Sequence, residues 1–194
     1  STPLYSWQRQ MCIRDRTNPA SPLVLLAQSE RGYANLMKLN SCLYIDASGQ
    51  LPQITLNDLR TYSADLICLS GGASGPVGKL LQTSQIPAAK AFMTQLSEIF
   101  PNRLYVEIQR HPTENGLPDA EQQTEAGFVE MAFKMDLPLV ATNDVYFKDS
   151  SMYEAHDALI CIAEGVYVDQ QEPRRRLTAQ HYFKTQQEMI TLFA

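Results

Sequence analysis

The sequence predicts an α/β fold built from βα units around a largely parallel sheet. Short apolar runs alternate with helix-length amphipathic segments, and polar stretches bearing glycine or proline separate them. A length of 194 residues with a 44% hydrophobic share is enough to bury the core of one domain.

The elements follow in order. Leu23-Val24-Leu25-Leu26-Ala27 reads as a buried strand. Ser29 then caps a helix in which Tyr33, Leu36, Met37 and Leu39 recur near helical spacing. Ile45 to Gln53 is polar, holds Gly49 and Pro52, and reads as a loop. A short helix around Asn57 to Tyr62 leads to a second strand, Leu66-Ile67-Cys68-Leu69. The glycine-rich turn Ser70-Gly71-Gly72-Ala73-Ser74-Gly75 opens a short helix through Val77, Leu80 and Leu81. Pro87 suits the first turn of a longer helix carrying Phe92, Leu96 and Phe100. Leu104-Tyr105-Val106-Glu107-Ile108 is the third strand, followed by a polar loop to Pro118. Asp119 to Met135 forms a helix with Phe128, Met131 and Met135 on its apolar side, and Leu137 to Ala141 is a fourth strand. Ser151 with Glu154 offers a capping box for a helix to about Glu164, and Thr185 with Glu188 offers one for a terminal helix. That last helix meets no stop signal, which leads us to expect truncation at this end.

Residues 1–16 stand apart. Around Trp7, and through Met11-Cys12-Ile13-Arg14-Asp15-Arg16, there is no strand or helix period. The stretch reads as a non-native or disordered segment preceding a domain over 17–194.

Bulk properties exclude several classes of function. No run of eighteen or more apolar residues exists, so no membrane-spanning helix is expected. Cys12, Cys42, Cys68 and Cys161 lack CxxC spacing and fit reduced thiols in a cytoplasmic protein. The net charge is −5, from 16 basic and 21 acidic residues, against the basic excess expected of a domain gripping duplex DNA. Arg174-Arg175-Arg176 is a local basic run that reads as solvated surface, with an anion contact as the rival.

The chemical candidates are few. Gly71 to Gly75 lacks the Lys-Ser/Thr ending of a phosphate-binding loop and suits a tight strand-to-helix turn. His111, His156 and His181 show no metal-ligand spacing. His156 reads as a capped or surface side chain. His111, just past the third strand, reads as a polar loop residue or as one at a barrel mouth. Asn143-Asp144, at the carboxyl end of the fourth strand, is the best chemical position, because functional residues of β/α barrels gather there. Asp144 is either a metal ligand or the cap of the following turn.

Four stretches carry a family resemblance. They are Leu25-Leu26-Ala27-Gln28 with Gly32-Tyr33-Ala34-Asn35-Leu36, then Leu69 to Gly75, then Arg103 to His111, and finally Ala141-Thr142-Asn143-Asp144-Val145-Tyr146-Phe147 with Glu154 to Leu159. In order, from about Pro22 to Ala194, they resemble the PHP domain of the bacterial replicative C-family polymerases, the DNA polymerase III α subunits. The resemblance implies an incomplete β/α barrel of the PHP type whose amino-terminal strands are missing here. It also implies a metal site at the barrel mouth, built in active members from histidines, carboxylates and a cysteine.

At the matching positions Pro22 replaces a ligand histidine, Gly72 a cysteine and Tyr146 the histidine of the Asp-x-His motif; Asp144 alone keeps its identity. Proline and glycine offer no side-chain donor, and tyrosine is a poor ligand for a divalent metal near neutral pH. The resemblance therefore implies a degenerate PHP domain with no catalytic residues and no metal in this segment. Its expected role is to pack against the rest of the α subunit and dock a separate proofreading exonuclease subunit. The parent would extend primers from deoxynucleoside triphosphates with Mg2+ in a downstream palm, and would meet DNA through downstream domains. The rival is an active metal-dependent phosphoesterase or 3'-5' exonuclease, with Glu107 and His111 as weak candidates to rebuild a site beside Asp144. A stand-alone sugar- or histidinol-phosphate phosphatase is a third reading.

Overall fold

The computed structural model of the chain describes residues 21–45, 53–114, 116–170 and 177–194, together with the backbone of 9–13. The 46–52 loop segment and the arginine run 174–176 lie outside the described residues. The chain forms two compact units, Ser1–Ile108 with Gln123–Val140, and Gln109–Gln122 with Ala141–Ala194.

The first unit is an α/β structure on a sheet of strand order β1-β2-β3-β4-β5. The strands are β1 (Arg9–Ile13), β2 (Ser21–Ala27), β3 (Leu66–Leu69), β4 (Leu104–Gln109) and β5 (Leu139–Thr142). β3 and β4 pair in parallel, with Cys68 opposite Leu104. β2 runs antiparallel to β3, with Val24 opposite Leu69, and β1 runs antiparallel to β2. One expectation is corrected here. The sheet is mixed, because alternation of strands and helices does not fix direction when two helices, α1 (Glu30–Ile45) and α2 (Leu56–Tyr62), separate β2 from β3. The segment read as lacking any strand period contains β1, whose backbone pairs with β2 from Arg9 opposite Leu25 to Ile13 opposite Ser21. Pairing with a buried neighbour can order a strand whose own side chains show no alternation.

Helix α1 (Glu30–Ile45) starts where the sequence predicts. The Ser29 hydroxyl accepts from the Gly32 amide at 3.2 Å and donates to the Asp65 carboxylate at 2.9 Å. Leu36, Leu39 and Leu43 then recur on one buried face. Helix α2 (Leu56–Tyr62) opens on a capping box between Thr55 and Asp58. Helices α3 (Pro76–Gln82) and α4 (Ile86–Ile99) both carry proline in the first turn, where a missing N–H costs nothing. Helix α5 spans Asp119–Met135. Leu23, Leu25, Leu39, Leu59, Met93, Leu96, Phe100 and Phe128 are all essentially sealed from solvent and form one core. Each such side chain is worth roughly 1.5–3 kcal/mol of burial. Arg103 ties the start of β3 to β4, since its guanidinium donates to the carbonyls of Ser63 at 2.6 Å and Leu66 at 2.7 Å.

The second unit holds α6 (Tyr153–Glu164) and α7 (Gln186–Phe193). The capping box expected from Ser151 and Glu154 does not form. Instead the Asp149 carboxylate accepts from the Ser151 amide at 3.1 Å and starts a short 3-10 turn, Ser150–Met152, that runs into α6. Asp149 and Glu154 offer the same kind of acceptor, and the folded backbone brings Asp149 to the amide. The Thr185–Glu188 box does form, with the Thr185 amide donating to Glu188 at 2.7 Å. Among the described residues no helix is long and apolar enough to cross a membrane.

Candidate functional site

In the first unit, the turn after β3 gathers Pro22, Gly72 and Glu107. Gly71 has φ 86°, and a Cβ there would lie 2.6 Å from the Pro22 carbonyl oxygen, so only glycine fits. Gly72 follows with φ 55° and begins a 3-10 turn. The buried Glu107 carboxylate accepts the Gly71 amide at 3.0 Å, and the Glu107 amide donates to the Ser70 hydroxyl at 2.9 Å. Glu107 thus serves as an internal strut, and the amide that a phosphate would need at Gly71 is already bonded to a carboxylate. Beside it, burial first and the Glu107 charge second push the Cys68 thiol well above its ordinary pKa, which keeps it protonated and inert.

In the second unit, His156 and His181 both contact Tyr146, and His111 stacks on His181, although the three histidines lie far apart in sequence. His111 is buried, and its Nδ1 lies 2.6 Å from Glu121. The same carboxylate accepts the His111 backbone amide at 2.8 Å. A carboxylate can only accept, so Nδ1 carries the hydrogen and leaves Nε2 as an acceptor, which faces the Asp144 amide at 3.4 Å. The His181 ring stacks on His111 with centroids 3.9 Å apart and planes 7° from parallel. Tyr146 contacts both His181, at 5.9 Å, and His156, at 5.7 Å, and Phe147 also touches His156. His156 is therefore half-buried against aromatic rings, and His111 is a loop residue that is buried and bonded. The reading of His156 as a capped or surface side chain is corrected. The physical reason is that the 178–184 segment folds back onto the 143–147 turn. The Tyr146 amide donates to the His181 carbonyl at 2.9 Å, and the Asn143 side-chain amide donates to the carbonyls of Tyr182 at 2.7 Å and Gln180 at 3.2 Å.

Sequence reading missed Glu121, Asn143 as a clamp, and His181. Glu121 could not be found because it lies ten residues from its partner across a loop. His181 carried one weak signal, an aromatic neighbour, Tyr182, before the Thr185 cap.

A carboxylate behind a histidine Nδ1 is the arrangement that orients a metal-binding imidazole. Here, however, the opposite nitrogen meets a backbone N–H, which is a hydrogen-bond donor and not a place for a cation. Among the described residues no group of three or more His, Cys, Asp or Glu side chains stands close enough together to hold a metal ion. The described residues of the second unit do not fit a metal cluster. What they make is a stacked and hydrogen-bonded knot that fixes the turn bearing Asp144.

Comparison with known proteins agrees with the sequence motifs. The model of the PHP domain family matches residues 6–111. The DNA polymerase III subunit alpha of Caulobacter vibrioides is 46% identical over 182 residues, which is 93% of this chain and 15% of that protein. Its namesake in Rickettsia bellii is 39% identical over 184 residues, 94% of this chain and 15% of the relative. The one in Haemophilus influenzae is 34% identical over 172 residues, 89% of this chain and 14% of the relative. The chain spans about 15% of the length of the curated relatives it matches. A glycine turn braced by Glu107, an Asn143-Asp144 turn at the end of a strand, and a family match over more than half the sequence lead to one assignment: this chain belongs to the PHP domain family.

Proposed function

We propose that the chain is the PHP part of a replicative DNA polymerase α subunit, and that this part is a scaffold without hydrolytic activity. The single observation that carries the non-catalytic reading is the chemistry at the ligand positions. By the family resemblance, Pro22, Gly72 and Tyr146 stand where active members carry donors, and Asp144 alone retains one. Without enough ligands a site has neither the affinity to hold a divalent metal nor the means to activate water. The His111–Glu121 pair and the ring stack supply the same turn with a cross-link made of protein alone.

The parent polypeptide, on this reading, extends a primer from deoxynucleoside triphosphates using Mg2+ bound elsewhere, and meets DNA through parts outside this chain. A net charge of −5 supports assigning nucleic-acid contact to those parts. The scaffold packs against the rest of the α subunit and docks a separate proofreading exonuclease subunit. Metal analysis of the intact gene product, paired with an exonuclease assay of the same preparation, tests this. We expect no stoichiometric zinc or manganese at this domain and no hydrolysis sensitive to Asp144→Ala. Tight metal whose loss and whose activity both follow Asp144→Ala would establish the metal-dependent phosphoesterase instead.

A further inference from the structure

The outer face of α6 is apolar and open. Ala155, Leu159, Ile162 and Ala163 follow the i, i+4, i+7, i+8 spacing that places side chains on one stripe of a helix, and all four are exposed. Leu159 is 62% exposed and Ile162 77%. The opposite side is already occupied, since Asp157 and Cys161 are its buried positions. A helix packed on one side that presents an open apolar stripe on the other suits an interior position. Tyr167, 79% exposed, and Val168 extend the apolar run just beyond the Gly165 cap.

We propose that this stripe is the seat of the remaining polypeptide of the same α subunit, so that α6 becomes an interior helix of the complete protein. The inference rests on the functional reading above and identifies the surface through which the scaffold packs. Three observations favour this occupant. The relatives are far longer than this chain, which covers about 15% of their length, so a covalently attached partner is abundant and at high effective concentration. The helix carries Glu154, Asp157 and Glu164 and no lysine or arginine, which disfavours a nucleic-acid backbone or an anionic lipid surface. A stripe of alanine, leucine and isoleucine without a polar group has the character of permanent, core-like contacts, whereas separable subunits meet through surfaces richer in aromatic and polar groups.

Hydroxyl-radical footprinting of the intact gene product, with the same polypeptide unfolded in urea as reference, tests the proposal without any substitution. We expect Leu159 and Ile162 to label at least about tenfold more slowly in the native protein, at every concentration and with no other protein added. Labelling within about twofold of the unfolded reference, as such open side chains would give, overturns the proposal. Protection that fades on dilution assigns the stripe to a second copy and also overturns it. So does protection that appears only when the exonuclease subunit is added. Failure of the underlying functional reading is seen separately, as an intact gene product that does not extend a primer.

Discussion

Replacing Glu121 by alanine should loosen the loop that holds His111 while leaving the first unit's core untouched. The carboxylate accepts two hydrogen bonds from one residue, at 2.8 Å from the amide and 2.6 Å from Nδ1. The His111 side chain is 3% exposed and that of Glu121 is 12%, so water reaches the vacated donors poorly. Leaving a buried donor unsatisfied costs about 1–3 kcal/mol, so two donors with partial access to water should lose about 3 kcal/mol together. At about 1.4 kcal/mol per factor of ten, opening of the 109–118 loop becomes roughly a hundredfold more frequent. Hydrogen exchange read by mass spectrometry on that peptide, in the intact gene product, measures it. Glu121→Gln keeps one acceptor oxygen but turns an NH2 toward the second donor, so it should fall between wild type and Glu121→Ala. Acceleration below about threefold for Glu121→Ala would refute the claim that this pair secures the loop.

Two further outcomes are expected. Gly71→Ala should cost about 2–4 kcal/mol, because it combines φ 86° with a 2.6 Å approach to the Pro22 oxygen. Gly165→Ala, at φ 68° with nothing within 4 Å, should cost only about 1 kcal/mol, and the two urea midpoints should separate accordingly. The start of α7 should weaken in acid. Tyr182, then the Thr185 amide and hydroxyl, bond Glu188 and hold its carboxyl down to about 2. A depressed acid stabilises above its unfolded pKa, so amide protection at Thr185 should be full near neutrality and decline as pH falls from about 4.5 toward 2. Unchanged protection across that window would show that the cap does not form in solution.

Much of this molecule follows from local rules that act within one turn or one strand. Proline in the first turn of α4, the Thr185–Glu188 box and the periodicity of α5 are all written within a few residues of where they act. The ligand loss proposed at Pro22, Gly72 and Tyr146 is likewise read from side-chain type and the family resemblance, without coordinates. The failures share a different cause. The antiparallel pairing of β2 with β3 depends on which strand lies alongside, and no periodicity encodes a neighbour. The Ser151 box lost to Asp149 because two acceptors compete for one amide, and only the folded backbone decides which is nearer.

The candidate site divides in the same way. The sequence by itself determined that tyrosine stands two residues after Asp144, and by the family resemblance this is the position where active members carry a histidine ligand. Only the tertiary structure decided what stands there instead, bringing His111 onto Glu121 and His181 and setting Tyr146 against His181 and His156. Stacking and hydrogen bonding act over a few ångströms between groups as many as 70 positions apart, from His111 to His181, and separation along a chain carries no record of that distance.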